Sequence, residues 1–481
     1  MVWPMESITV TRASGSLGFE SLEEEVDSRP LGVDGRLPDW LGGTLVRVTP
    51  ALLDPGGVPL RHWFDGLAML NAFTIADGGV SYASRFLDSQ AYRNVREHGE
   101  TRMRTFGSDP CRTIFQRVSS LFSPGMTDNC NVNVTRLGER WVAMTETPIA
   151  IEFDPKTLAT IGPRRWAGKS DQGTAHPHYD FGRREAVSYS ARFGPSSSYR
   201  LFVTPDGTPE PREVAKVPVR EPAYMHSFAL TDRYAILFDQ PLVVNPLKLA
   251  LGKRSFIESY EWKPERGTRF LVIDRETGAL HSTAEADAFF TFHSVNAFEA
   301  DGELVVDLVA YDDASIIDDL LLDNLRRNGA PPARGSLRRY RLPLDGGAAR
   351  REDLSDEGIE LPRISYRARN GRDYRYVYGV GQRGSGVDQL VKVDVRERST
   401  SVWREEGCYP GEPVFVPAAG SPGAEDEGAL LSVVLDAARE RSFLLVLDAG
   451  DMTELARAEA PHHIPFGFHG DFSGKVISDG I

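Results

Sequence analysis

The sequence predicts an all-β fold, a repeat array closed into a β-propeller, and three observations predict it. Short alternating apolar and polar runs stop at turn residues and resume as further alternating runs. Four histidines stand in separate short apolar cassettes at gaps of 50, 67 and 176 residues. Those gaps are far too wide for one helix and suit strands of successive repeats converging on an axis. Helical patches are few and no linker divides the chain, so residues 1–481 read as a single propeller domain. One closed propeller absorbs a length that would otherwise suggest about three domains.

The recurring unit is a strand, an Asp-led turn and a second strand. Ala150-Ile151-Glu152-Phe153 runs through Asp154-Pro155-Lys156-Thr157 into Leu158-Ala159-Thr160-Ile161. Phe270-Leu271-Val272-Ile273 leads into Asp274-Arg275-Glu276-Thr277-Gly278. Leu390-Val391-Lys392-Val393 leads through Asp394-Val395-Arg396-Glu397 to Ser401-Val402-Trp403, and Leu444-Leu445-Val446-Leu447 leads into Asp448-Ala449-Gly450-Asp451. Helical spacing occurs twice. From Arg112 to Phe122 it gathers Ile114, Phe115, Val118, Leu121 and Phe122; from Ser315 to Arg327 it gathers Ile316, Ile317, Leu320, Leu321 and Leu325, with Asp318, Asp319 and Asp323 on a solvated face. Ala418 to Gly428, rich in glycine and acid, reads as a surface loop.

Composition narrows the function classes. A hydrophobic share of 41% and a charged share of 26% are ordinary for a soluble globular protein. A formal net charge of -14 argues against a nucleic-acid partner. Cys111, Cys130 and Cys408 form neither a CxxC pair nor a disulfide framework, which fits a reducing cytosol. The first residues lack a basic segment followed by an apolar core, and no apolar run approaches the ~18 residues of a spanning helix. The expected location is therefore cytoplasmic, free or peripheral on a membrane.

The four histidine cassettes carry the chemistry. They are Thr174-Ala175-His176-Pro177-His178, Tyr224-Met225-His226-Ser227-Phe228, Phe292-His293-Ser294-Val295-Asn296-Ala297 and Gly467-Phe468-His469-Gly470. Imidazole binds Fe, Zn, Cu or Ni. Four neutral imidazoles leave two cis positions open on an octahedral ion, which suits a non-haem Fe(II) that must hold O2 beside a substrate. For any one of the four, the residues alone favour a hydrogen-bonded core histidine. Gly379-Val380-Gly381-Gln382-Arg383-Gly384 fits G-x-G-x-x-G, but an alternating strand, Asp388 to Val393, follows where a dinucleotide site needs a helix. No GxSxG, P-loop or HExxH is present.

Taken with His62-Trp63-Phe64-Asp65-Gly66, Asp109-Pro110-Cys111, Thr127-Asp128-Asn129, Thr145-Glu146-Thr147, Tyr378-Gly379-Val380-Gly381 and Glu412-Pro413-Val414-Phe415-Val416, in that order, the chain resembles the carotenoid cleavage oxygenases. The likeness runs nearly end to end and is closest to the animal-type branch of β-carotene oxygenases and retinoid isomerase. Ser227 and Ser294 stand where many relatives carry Asp and His. The resemblance implies seven blades, with helices and loops capping one face. It implies one Fe(2+) per chain held by His176, His226, His293 and His469, with Glu146, Glu360 and Glu412 behind them as acceptors for the imidazole N–H groups. From the residues alone each glutamate reads as an exposed turn residue. His178 is the impostor nearest a ligand, His462 and His463 are loop or strand-edge residues, and His62 is structural.

The implied activity is addition of O2 across one conjugated double bond of a carotenoid or apocarotenoid, releasing two aldehyde or ketone products. A retinoid isomerase or a stilbene-cleaving oxygenase on the same scaffold is the alternative, and a non-catalytic propeller platform is the alternative from another class. By resemblance Phe106, Thr145 and Tyr340 line an apolar tunnel for the polyene, against ordinary core packing. The Ile114 to Phe122 stripe, or Leu247 to Leu251 leading into Lys253 and Arg254, offers a contact with a lipid surface, against packing on the propeller.

Overall fold

The computed structural model describes residues 15–100, 103–108, 127–138, 140–168, 170–208, 210–251, 254–329, 334–383, 386–418 and 424–474. Among the described residues seven large sheets of four to six strands follow one another, antiparallel except where Gly347–Ala348 runs parallel to Leu280–Ala286, with one extra two-stranded ribbon, Leu242–Val244 with Tyr260–Trp262. They form a seven-bladed β-propeller. In chain order the strands that open blades two to seven are Asn133–Leu137, Gln172–Gly173, Ala229–Leu230, Ser294–Ala300, Glu360–Arg363 and Cys408–Pro410. Ser294–Ala300 touches both Ala229–Leu230 and Glu360–Arg363, its neighbours around the axis.

The ring is closed twice. Gly470–Ser473, at the end of the described chain, pairs with Gly43–Leu52 and becomes the inner strand of the first blade. Val33–Gly35, from near the start, pairs with Glu454–Glu459 on the outer edge of the last blade. Closure of this kind leaves few free strand edges. Each neighbouring pair of blades shares a buried core. Phe73, Leu431 and Val446 lie between the last and first blades, and Val187, Leu201 and Leu237 between the third and fourth.

The four Asp-led hairpins are the third and fourth strands of blades two, four, six and seven: Ile149–Phe153 with Thr160–Arg165, Thr268–Asp274 with Leu280–Ala286, Gln389–Asp394 with Ser399–Trp403, and Arg441–Asp448 with Glu454–Glu459. In each turn the aspartate Oδ1 accepts an amide two residues on: Lys156, Glu276, Arg396 and Gly450, at 2.7–3.0 Å. This Asx geometry replaces the ladder bonds lost at the turn. The strand Tyr376–Gly381 leads into Gln389–Asp394, so the glycine-rich segment sits in a hairpin and Gly384 lies outside the described residues.

Of the helical and loop expectations, one lies outside the described residues, one is broken in two and one is a loop held by side chains. The helix from Arg112 to Phe122, with Asp109-Pro110-Cys111, lies outside the described residues. The Ser315 to Arg327 stretch is two short helices, Ile316–Asp319 and Leu322–Asn328, broken at Leu320 and Leu321; Leu322 donates its amide to the Arg61 carbonyl instead of continuing the first helix. The acidic loop before Gly428 is anchored rather than free. Glu425 accepts from the Arg375 and Tyr376 amides and pairs with Arg369, and Asp426 pairs with the buried Lys392. No helix among the described residues is long and apolar enough to cross a membrane.

Candidate metal centre

Seven side chains meet at the axis, one from each blade. His176 lies in the inner region of the third blade, between Gln172–Gly173 and His178–Asp180, while His226 and His293 stand just before the opening strands of the fourth and fifth. His469 precedes the strand that closes the first blade. Glu146 comes from the second blade, Glu360 opens the sixth, and Glu412 lies between Cys408–Pro410 and Val414–Pro417 of the seventh. One potential ligand atom from each of the four histidines falls within 4.8 Å of all the others, a group able to hold a metal ion.

The hydrogen bonds behind the rings decide what the front of the site offers. Nδ1 of His226 faces Glu146 Oε1 at 2.6 Å, that of His293 faces Glu360 Oε2 at 2.5 Å, and that of His469 faces Glu412 Oε1 at 2.7 Å. A carboxylate accepts, so each of these nitrogens donates its proton, and the neutral ring keeps a bare lone pair on Nε2. Nε2 of His293 and His469 lie 3.1 Å apart, and Nε2 of His176 and His226 lie 2.8 Å apart. Two lone pairs at 3.1 Å repel unless a cation lies between them. Nitrogens about 2.1 Å from one ion and at right angles are separated by about 3.0 Å. The donor set therefore fits a divalent transition metal.

Electrostatics keeps the rings in that form. Burial lowers the pKa of His226, against the opposing pull of Glu146, and brings His469 down to about 4 against the opposing pull of Glu412. His176 is held well below the ordinary range by burial and by the three other histidines. Burial works to raise the carboxylates, yet both Glu360 and Glu412 are lowered, the first chiefly by His293 and the second by Arg363 and His469.

The glutamates are themselves held. Tyr224 Oη donates to Glu146 Oε1 and Tyr311 Oη to Glu360 Oε1, each at 2.8 Å. Glu412 is fully buried; it accepts from Arg363 Nε at 2.7 Å and from the Gly470 amide at 3.0 Å, with Arg47 at 3.5 Å. These four residues escaped the sequence reading. Tyr224 had a signal, two positions before His226, whereas nothing in the strand residues Arg47 and Arg363 or in Tyr311 marked them.

A cavity of about 480 Å3 ends on His226, His293 and His469. Its wall is aromatic: Trp63, Phe64, Phe106, Phe256, Phe292 and Phe468 line it, with Phe64 and Phe106 ring centres 5.0 Å apart. Phe106 and Thr145 belong to this wall. Tyr340 does not. It sits in Ser336–Pro343, the third strand of the fifth blade, buried against Phe270 and Phe289 between the fourth and fifth blades, so its cavity-lining role is corrected to core packing. Phe292 and Phe468 were legible as the residues directly before two of the histidines.

The remaining histidines are tied elsewhere. His178 meets the Phe228 carbonyl at 2.9 Å and Tyr366 Oη at 3.1 Å. His62 accepts the Phe64 amide at Nδ1 and donates from Nε2 to the Ile317 carbonyl. His462 and His463 lie outside any strand.

Comparison with known proteins agrees with this geometry. The retinal pigment epithelial membrane protein family (RPE65) matches residues 19–474. The mitochondrial carotenoid-cleaving dioxygenase of Homo sapiens is 36% identical over 518 residues, covering 93% of this chain and 89% of that protein. The human beta,beta-carotene 15,15'-dioxygenase is 33% identical, covering 95% and 93%, and the carotenoid isomerooxygenase of Galleria mellonella is 34% identical, covering 94% and 95%. Among solved structures, the cobalt-substituted apocarotenoid oxygenase of Synechocystis superposes with a TM-score of 0.84 at 29% identity, over 96% of this chain and 98% of its own. A match over residues 19–474, a shared propeller and four histidines on its axis have one reading: this chain belongs to the carotenoid oxygenase family, that of the retinal pigment epithelial membrane protein.

Proposed function

We propose that the protein is a non-haem Fe(II) dioxygenase that adds O2 across one conjugated C=C bond of a carotenoid or apocarotenoid and releases two carbonyl products. The observation that carries it is the convergence of four imidazoles, three with bare Nε2 lone pairs, at the end of an aromatic cavity. His176, His226, His293 and His469 would hold one Fe(2+), with Glu146, Glu360 and Glu412 fixing three of the rings. Bound iron supplies the redox chemistry that allows O2 to react with a polyene. The chain supplies placement and dryness. Phe64, Phe106, Phe292 and Phe468 grip an apolar chain, exclude water and present π faces to positive charge developing on it. Thr145, beside Glu146 in the same wall, offers a small hydroxyl near the reacting end.

The relatives' names support a carotenoid substrate. One propeller domain spanning residues 1–481 and a cytoplasmic location belong to the same reading; Cys130 and Cys408 are both free and buried, as in a reducing compartment. So does peripheral contact with lipid. Leu247 is 68% exposed and neighbours Pro246 and Leu249, which line the cavity. Loss of liposome flotation on Leu247→Asp would support that contact, and a wild type that never floats would remove it.

Aerobic incubation of the iron-loaded protein with a carotenoid panel under labelled O2 tests the activity. Each carbonyl product should carry one labelled oxygen before exchange with water, and anaerobic samples should not turn over. Isomerised retinoid formed without O2, and no cleavage of any carotenoid, would overturn this reading.

A further inference from the structure

The four histidines lie on separate blades, and nothing in a blade's own ladder fixes the distance from one ring to the next. Two buried hydroxyls do. Thr174 Oγ1, two residues before His176, accepts the His176 amide at 2.8 Å and donates to the His226 carbonyl at 2.9 Å. Ser227 Oγ, directly after His226, donates to the Phe292 carbonyl at 2.6 Å and accepts the Ser294 amide at 2.8 Å, so it grips the chain on both sides of His293. Each hydroxyl spans two blades with its single proton donated and a lone pair filled. The gap from His469 to His176 is bridged through the second blade: the His469 amide donates to the Val132 carbonyl at 3.2 Å, and Asn133 Nδ2 to the Ala175 carbonyl at 2.7 Å. Hydrogen bonds between adjacent cassettes, joined through neighbouring residues of the chain, thus link His469, His176, His226 and His293.

We infer that Thr174 and Ser227 are positioning residues for the metal centre: they set the spacing of the His176, His226 and His293 cassettes across blade boundaries. Neither borders the cavity, so any effect on metal chemistry passes through the histidines. The Thr174 side chain is wholly buried and Ser227 nearly so, and removing either oxygen leaves a half-buried amide and a buried carbonyl without their partner. The inference rests on the four-histidine metal reading, and its test separates the two.

Cobalt(II) serves as the probe because its d–d absorption reports ligand geometry directly. Apo wild type, Thr174→Val, Thr174→Ser and Ser227→Ala are titrated with Co(II), with affinity and spectrum recorded beside the thermal midpoint. Loss of an outer partner typically weakens metal binding about 10- to 100-fold. Thr174→Val and Ser227→Ala should lose affinity within that range and shift the d–d band, while Thr174→Ser, which keeps the hydroxyl, should restore both. Wild-type affinity and an unshifted band in both variants, with only a lower thermal midpoint, would overturn the inference and leave the metal site intact. If Thr174→Val does not fold, Ser227→Ala decides on the same readouts. Failure of both to fold would also overturn it, by assigning the hydroxyls to the fold alone. A wild type that binds neither Co(II) nor Fe(II) would sink the metal reading itself.

Discussion

Glu412 shows how much a single residue carries at this site. It is fully buried, takes the His469 Nδ1–H, and faces two guanidinium groups, Arg363 and Arg47. Glu412→Gln keeps the shape but leaves a buried cation, Arg47, and a half-buried one, Arg363, without their anion, and it removes charge behind one ligand. Iron affinity is expected to fall about 10- to 100-fold, read by competition with a chelator. An unchanged affinity would make Glu412 a turn residue only. His62 gives the pH counterpart. Burial lowers its pKa to about 3 from an ordinary 6.5, so the unfolded chain takes up a proton between those values and the native state does not. Its contribution to stability is complete above pH 6.5 and is lost as pH falls toward 3. Between pH 6.5 and 5 the loss is about 2 kcal/mol. His62→Gln, with an acceptor and a donor but no titration, should lose correspondingly less over that range, measured as urea midpoints of the two proteins at both pH values.

At the scale of the element, the closing strand Gly470–Ser473 both completes the first blade and orients His469. Gly470 admits no side chain: a Cβ there would lie 2.6 Å from the Val46 carbonyl oxygen and from Arg47 Cγ. Gly470→Val should push the strand off Gly43–Leu52 and cost about 1–3 kcal/mol, as overpacking does. Both the thermal midpoint and iron content should drop together. A full complement of iron in a destabilised Gly470→Val protein would separate ring closure from the metal site. The outer hairpins were readable because they are long, alternating and ended by aspartates that bind their own turn amides. The inner strands were not, since Gln172–Gly173 and Ala229–Leu230 span two residues each and carry no period.

Across the whole molecule, an ion on the axis would tie four blades together and so bind the closed ring but not the unfolded chain. Linkage then predicts a lower thermal midpoint after iron is removed by chelation, recovered on adding Fe(II). His469→Ala should abolish that difference. His178→Ala should keep it, because His178 is committed to Phe228 and Tyr366. Loss of the iron effect in His178→Ala but not in His176→Ala would mean that the ligand set is wrong.

By itself the sequence determined the all-β class, the Asp-led hairpins, the four histidine cassettes and, through its landmarks, the family. These signals are local: a turn, an alternation or a cassette is written in a few adjacent residues. Only the tertiary structure decided that each blade contributes one residue to the axis, that Tyr224, Tyr311, Arg363 and Arg47 hold the glutamates, and that Tyr340 packs in a core between blades. It also decided which histidine faces which carboxylate, and so which nitrogen keeps a free lone pair. Those pairings join residues 57, 67 and 80 positions apart. They depend on how the blades turn about the axis, a property of the closed ring that no stretch of chain encodes alone.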